Sequence, residues 1–144
     1  MLQDPSSIQQ FGTQVREGKL QITDAVEHYL NKVNERNTEL NIVVKGFDDE
    51  ARNRAEALDE ELRQGKDRGP MHGVPVAVKD IFAMTGCLPA AGSGAEIKCG
   101  NNDAAVIRKL KASGAIILGT LNLDEFAAGG TGVNLWFGRC KNPL

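Results

Sequence analysis

The chain has 144 residues, 17 Lys plus Arg against 19 Asp plus Glu, and a formal net charge of −2. That length supports a single hydrophobic core, and the near balance of charge excludes the broad basic field on which phosphate-driven nucleic-acid binding depends. With 41% hydrophobic and 25% charged residues the composition is globular rather than disordered, and no apolar run reaches the roughly 20 residues that a bilayer-spanning helix requires. The opening Met1-Leu2-Gln3-Asp4-Pro5 has neither the basic region nor the apolar core of a secretory signal. Three cysteines, Cys87, Cys99 and Cys140, leave an odd thiol however they pair. That usage suits a reducing compartment, so a cytoplasmic location is expected.

The chain divides by composition. Residues 1–69 carry 10 basic and 14 acidic side chains and 5 glycines, whereas residues 70–144 carry 7, 5 and 11. A charge-rich, glycine-poor stretch suits helices with one wet face; a charge-poor, glycine-rich one suits strands and tight loops around a site. One unit is expected, with a helical lead-in over 1–69 and the α/β part over 70–144.

In chain order, Ser7-Ile8-Gln9-Gln10 has capping-box spacing and Gly18 suits a C′ position, which predicts a first helix between them. Thr23 is the expected cap of a second helix, in which Ala25, Val26, Tyr29, Leu30 and Val33 recur at helical spacing. Ile42-Val43-Val44 is β-branched and predicts a short strand. A third helix opens at Asp48 or Asp49, sets Ala51, Ala55, Leu58 and Leu62 on one face, and stops before Gly65. Its opposite face, Arg52, Arg54, Glu56, Asp59, Glu60 and Arg63, is a solvated surface. After the Gly69-Pro70 turn, Val74-Pro75-Val76-Ala77-Val78 has the continuous apolar character of a buried strand. Asn102 or Asp103 then caps a helix carrying Ala105, Val106, Ile107 and Leu110, and Ala115-Ile116-Ile117-Leu118 follows Gly114 as another buried strand. Strand, helix and strand predict a β-α-β unit, hence an α/β fold with a partly parallel sheet. Three strands make a short open sheet that needs covering before it is stable alone.

Two segments can carry chemistry. Lys79 ends an apolar strand, where lost hydration disfavours a charged amine and suits it to take a proton from a hydroxyl. The alternative is a lysine at a strand mouth that pairs with Asp80 or reaches solvent. The stretch Ala127-Ala128-Gly129-Gly130-Thr131-Gly132-Val133-Asn134 can turn bare backbone N–H groups toward a carbonyl or an anion. It has neither the Lys-Ser/Thr ending of a phosphate loop nor dinucleotide-binding spacing, and a plain surface turn is the other reading. Cys87, Cys99, Cys140, His28 and His72 lack paired metal-ligand spacing, so no metal and no cofactor are expected. His72 reads as an ordinary loop histidine, and Trp136 and Phe137 as packing residues covering a loop.

An ordered series of short motifs runs through the second half. It begins with Met71-His72-Gly73-Val74-Pro75-Val76-Ala77-Val78-Lys79-Asp80, Gly86 and Gly92-Ser93. Asp103-Ala104-Ala105-Val106 follows, then the run from Leu110 to Gly119 and Asn122-Leu123-Asp124-Glu125-Phe126-Ala127. Gly132-Val133-Asn134, Phe137-Gly138 and Asn142-Pro143 close it. In this order the series resembles the front part of the amidase signature family; residues 1–69 fit that family's helical lead-in only loosely.

The resemblance implies the leading part of the amidase signature fold and hydrolysis of a carboxamide C–N bond by a Ser–cis-Ser–Lys triad through an acyl-enzyme. In it Lys79 is the base, and Ala128, Gly129, Gly130 and Thr131 form the loop lining the acyl pocket. The partner is then a small-molecule amide substrate, with no direct nucleic-acid binding and no membrane. The resemblance fits equally the glutamine-hydrolysing component (the A subunit) of glutamyl-tRNA amidotransferase, which draws ammonia from glutamine and works with partner subunits. The Gly-Gly-Ser-Ser-Gly-Gly-Ser segment that bears the cis-serine in that family does not occur in this sequence. Ser93 and Ser113 match other positions, and Pro89-Ala90 stands where a Thr pair is common. The 144 residues alone are therefore expected to be inactive, and a non-catalytic fragment or interaction module is the reading from outside the enzyme class.

Overall fold

The computed structural model describes residues 4–143. Its elements are α1 (Ile8–Arg16), α2 (Ile22–Leu40), β1 (Val43–Gly46), α3 (Asp48–Arg63), β2 (Pro75–Lys79), α4 (Ala105–Ala112), β3 (Ile116–Leu121) and a short 3₁₀ turn, Glu125–Ala127. The strands form one sheet in the order β1-β3-β2. β1 runs antiparallel to β3, with Val43 opposite Leu121 and Gly46 opposite Gly119. β2 and β3 run parallel: the Ile116 N–H donates to the Val74 carbonyl where both strands begin, and the Asp80 N–H to the Leu121 carbonyl where both end. The expected β-α-β unit is thus present in a mixed α/β fold.

The chain folds into two compact units, each assembled from three stretches: Met1–Lys32, Phe47–Val76 and Lys109–Leu118 in one, Val33–Gly46, Ala77–Arg108 and Gly119–Leu144 in the other. The first holds an apolar core in which Phe11 and Val15 of α1, Ile22, Ala25, Val26 and Leu30 of α2, and Ala51, Ala55 and Leu58 of α3 pack with Val74 and Ile116. These are the periodic positions of the three helices, so the amphipathic pattern alone specifies which faces meet.

Helix ends depend more on tertiary contacts than local spacing suggests. Ser7 caps α1 as expected, its side chain accepting from the Gln10 N–H at 3.1 Å, but Gln10 Oε1 accepts in return from the Ser6 N–H rather than from that of Ser7. Thr23 is not the cap of α2. Asp59, on α3, accepts from the N–H groups of Ile22 and Thr23, both at 3.0 Å, so a distant carboxylate satisfies two orphan donors and complements the helix dipole. The α3 face read as solvated also includes Arg52, which pairs with Glu27 of α2. His72 is no ordinary loop residue but is buried: its Nδ1 accepts from the Arg68 N–H and its Nε2 faces the Leu58 carbonyl at 3.0 Å. An N–H must donate and a carbonyl must accept, which fixes the proton on Nε2.

Two strands differ from expectation. β3 continues through Gly119-Thr120-Leu121, because β1 pairs alongside that end; a Cβ on Gly119 would lie 2.5 Å from the Lys45 carbonyl oxygen, so only glycine permits the approach. β2 is not buried on both faces: Val78 is buried, while Ala77 and Lys79 are exposed.

Two outcomes follow for the first unit. Leu58 is fully buried in the core, and Leu58→Ala should lower unfolding free energy by about 2–5 kcal/mol in denaturant titration. The Arg16 guanidinium, bonded to Asp67 at 2.7 Å, together with the Gly69 N–H holds the Asp67 carboxyl at about 2, below its ordinary 3.8. A depressed carboxyl contributes stability that is complete above its ordinary range and is lost as pH falls toward about 2. The melting-temperature gap between the parent and Arg16→Met should therefore close on acidification through that window.

Candidate active site

Lys79 lies at the last position of β2, exposed, with its Nζ donating to the main-chain carbonyl of Asn122 at 3.0 Å. The pairing with Asp80 weighed from the sequence is not used. Alternation along the strand turns Asp80 the other way, into full burial, where its Oδ2 accepts from the Ala90 N–H at 3.0 Å. The expectation of a desolvated lysine at a buried strand end is corrected accordingly: the strand is half open and the amine is reached by solvent.

The main chain of Asp80 fastens the next loop. Its N–H donates to Leu121, and its carbonyl accepts from Ala91 at 2.7 Å; the Ala91 carbonyl in turn accepts from Phe126 at 2.7 Å. Ala91, Phe126 and Ala127 all adopt left-handed backbone, with φ of 49°, 52° and 55°. For residues with a Cβ that conformation costs about 1–3 kcal/mol each and persists only where neighbours enforce it.

Asn122 receives the lysine and is itself held by every polar atom it has. Its N–H donates to Ile42, its Nδ2 donates to the carbonyls of Asn41 and Gly138, both at 3.1 Å, and its Oδ1 accepts from the Leu123 N–H at 2.8 Å. Asn41 braces the same region, donating through Nδ2 to the Phe137 carbonyl. Asn134, also buried, donates to the carbonyls of Gly92 and Leu123 and accepts from the N–H groups of Trp136 and Phe137. At Gly92 a Cβ would fall 2.8 Å from the Leu123 carbonyl oxygen and from Asn134 Nδ2.

The glycine-rich stretch is a built loop rather than a plain turn. The Asp124 carboxylate accepts from the N–H groups of Thr131 and Val133 at 3.1 Å, from Gly132 at 3.3 Å, and from Thr131 Oγ1 at 3.0 Å. Desolvation opposes ionisation of Asp124, and these four donors outweigh it, holding the carboxyl below its ordinary range. Ala128, Gly129, Gly130 and Thr131 are all exposed along this loop. The structure therefore links the two candidate segments through three consecutive residues: Asn122 takes the amine of Lys79, Leu123 is tied by Asn134, and Asp124 gathers the loop.

The sequence motifs included Asn122, Asp124 and Asn134 without assigning them work. A signal was present, since polar amides and carboxylates flanking a strand end and a glycine run are the side chains that bond loop backbone. Trp136 lays its ring over Gly94 and so covers a loop, as expected, but the residue is 64% exposed, and Leu135 beside it is 90% exposed. Cys87, Cys99 and Cys140 are all free thiols, and burial pushes the Cys87 thiol up, away from reactivity. Among the described residues no helix is long and apolar enough to cross a membrane.

Residues 24–144 match the family model described as Amidase. The A subunit of glutamyl-tRNA(Gln) amidotransferase from Neorickettsia sennetsu (strain ATCC VR-367 / Miyayama) is 35% identical over 122 residues, which are 84% of this chain and 25% of that protein. The crystal structure of the peptide amidase from Stenotrophomonas maltophilia superposes with a TM-score of 0.86 at 28% identity, over 96% of this chain and 30% of the other. A bacterial aryl acylamidase of the amidase signature enzymes gives 0.84 at 29% identity, over 96% and 29%. The chain thus spans between a quarter and a third of the length of these relatives. With most of its residues matched by the family model and nearly all of them superposing on solved amidases, the chain belongs to the amidase signature family.

Proposed function

We propose that these residues supply the base and part of the acyl pocket of an enzyme that hydrolyses a carboxamide C–N bond. The observation that carries this reading is the Lys79 amine, solvent-reachable at the strand end and held on the Asn122 carbonyl, two residues before the carboxylate that shapes the loop 128–133. In the proposed reaction the neutral amine takes the proton of a serine hydroxyl, and that serine activates a second one. The second serine's oxygen attacks the amide carbon, the C–N bond breaks with protonation of the departing nitrogen, and water hydrolyses the acyl-enzyme to regenerate the hydroxyl. Both serines belong to polypeptide other than the 144 residues, and Ala128, Gly129, Gly130 and Thr131 face the acyl portion. The substrate is a small-molecule amide, and the free thiols support a reducing, cytoplasmic setting.

In the full-length enzyme, Lys79→Ala should lower kcat by about 10²–10⁴-fold, the range of a lost general base, while far-ultraviolet circular dichroism stays at the parent spectrum. Turnover near the parent rate would overturn the assignment. The 144-residue polypeptide by itself should release no ammonia or amine.

A second reading is favoured by the 35% identity, over 122 residues, to the A subunit of glutamyl-tRNA(Gln) amidotransferase from Neorickettsia sennetsu. On it the same base serves a glutamine-hydrolysing component that passes ammonia to partners. Assaying the full-length protein alone on simple amides, and on glutamine with and without candidate partner proteins, separates the two. Activity of the lone protein on simple amides favours the free amidase; glutamine hydrolysis that appears only with partners favours the amidotransferase component.

A further inference from the structure

We propose that Asn122 is the positioning residue for Lys79, its side-chain amide holding in place the carbonyl on which the amine is aimed. This rests on the reading of Lys79 as the base. The bond that fixes the amine runs from Lys79 Nζ to the Asn122 carbonyl. A lysine carries four rotatable bonds and loses much rotamer freedom when held, so an exposed amine stays in one place only if its acceptor is fixed. That acceptor lies just beyond the end of β3, where the ladder no longer orients the peptide.

The Asn122 side chain takes over. Its two amide hydrogens are spent on two carbonyls from different segments, Asn41 after α2 and Gly138 near the other end of the second unit, and its Oδ1 closes on the next N–H. The residue is 4% exposed, so water does not substitute for these bonds. Asp in its place keeps the size and the acceptor but sets carboxylate oxygens against two carbonyls. Serine retains one donor of shorter reach. Neither side chain touches the reacting atoms, because the contact with Lys79 is made by the backbone; the role is positioning.

The test uses the full-length protein, Asn122→Asp, Asn122→Ser and Lys79→Ala, steady-state kinetics on an amide substrate, and the ¹⁵Nζ resonance of Lys79 identified by its absence in Lys79→Ala. A positioning role predicts that kcat falls at least about tenfold in folded Asn122→Asp with KM within about twofold, a smaller loss in Asn122→Ser, and a displaced or broadened Lys79 resonance in both. An unchanged kcat, or a loss that matches the unfolded fraction while the Lys79 resonance stays put, overturns it. If neither variant folds, proton exchange in the unsubstituted protein decides: Lys79 Hζ atoms exchanging more slowly with water than those of exposed Lys98 support the proposal, and equal rates overturn it. Retained turnover in Lys79→Ala overturns the reading of the base and the proposal with it, whereas an unmoved resonance beside an inactive Lys79→Ala overturns the positioning role alone.

Discussion

At the end of β3 the chain must leave the sheet without stranding its peptide groups, and Asn122 is where it does so. Buried N–H and C=O groups left without partners cost about 1–3 kcal/mol each, and one asparagine here bonds five separate residues within the second unit: Ile42, Asn41, Gly138, Leu123 and Lys79. Asn134 repeats the device twelve residues later, serving two carbonyls and two N–H groups. Loop structure in this unit is thus fixed in good part by amides whose side-chain donors and acceptors are all used, together with the Asp124 carboxylate. Such networks give a unique geometry only when complete.

The first unit is organised on different physics. Three amphipathic helices bury one continuous core, and polar side chains serve mainly to close helix ends and turns: Asp59 for α2, His72 between Arg68 and Leu58, Asp67 between Arg16 and Gly69. Apolar burial tolerates sequence change provided volume and pattern persist. The N-terminal residues fit the family's motifs loosely in sequence while adopting the family's fold, in keeping with that tolerance.

This contrast explains which features were legible in the sequence. Helical periodicity identified Ala25, Val26, Leu30, Ala51, Ala55 and Leu58 as core positions, and all are buried. Glycine spacing located the ends of α1 and α3 at Gly18 and Gly65, both left-handed. The β-α-β unit followed from two apolar runs flanking a helical pattern, and the family from motif order. What the sequence did not disclose were contacts between distant residues. Asp59 capping α2 spans 36 residues and Asn122 reaching Asn41 spans 81, separations at which local pattern carries no information. The exposure of Lys79 was not legible for a related reason: an apolar pentapeptide reads as buried on both faces, whereas the described residues cover only the Val78 face of β2 and leave Ala77 and Lys79 exposed. The work of Asp124 was hidden similarly, since a carboxylate beside a glycine run becomes a loop organiser only once the loop folds back on it.

The strand order has a consequence for how such a chain comes to be folded. β3 lies between β1 and β2, yet it is the last of the three to be synthesised. Until residues 116–121 leave the ribosome, β1 and β2 have no native neighbour between them, and both expose unpaired peptide edges. The helical core has the same dependence through Ile116, which packs with residues as early as Phe11. Completion of the sheet is a long-range event with a large loop-closure cost, of the kind that slows folding and lengthens the life of aggregation-prone intermediates. A nascent chain paused before β3 holds the local structure of four helices and no completed sheet.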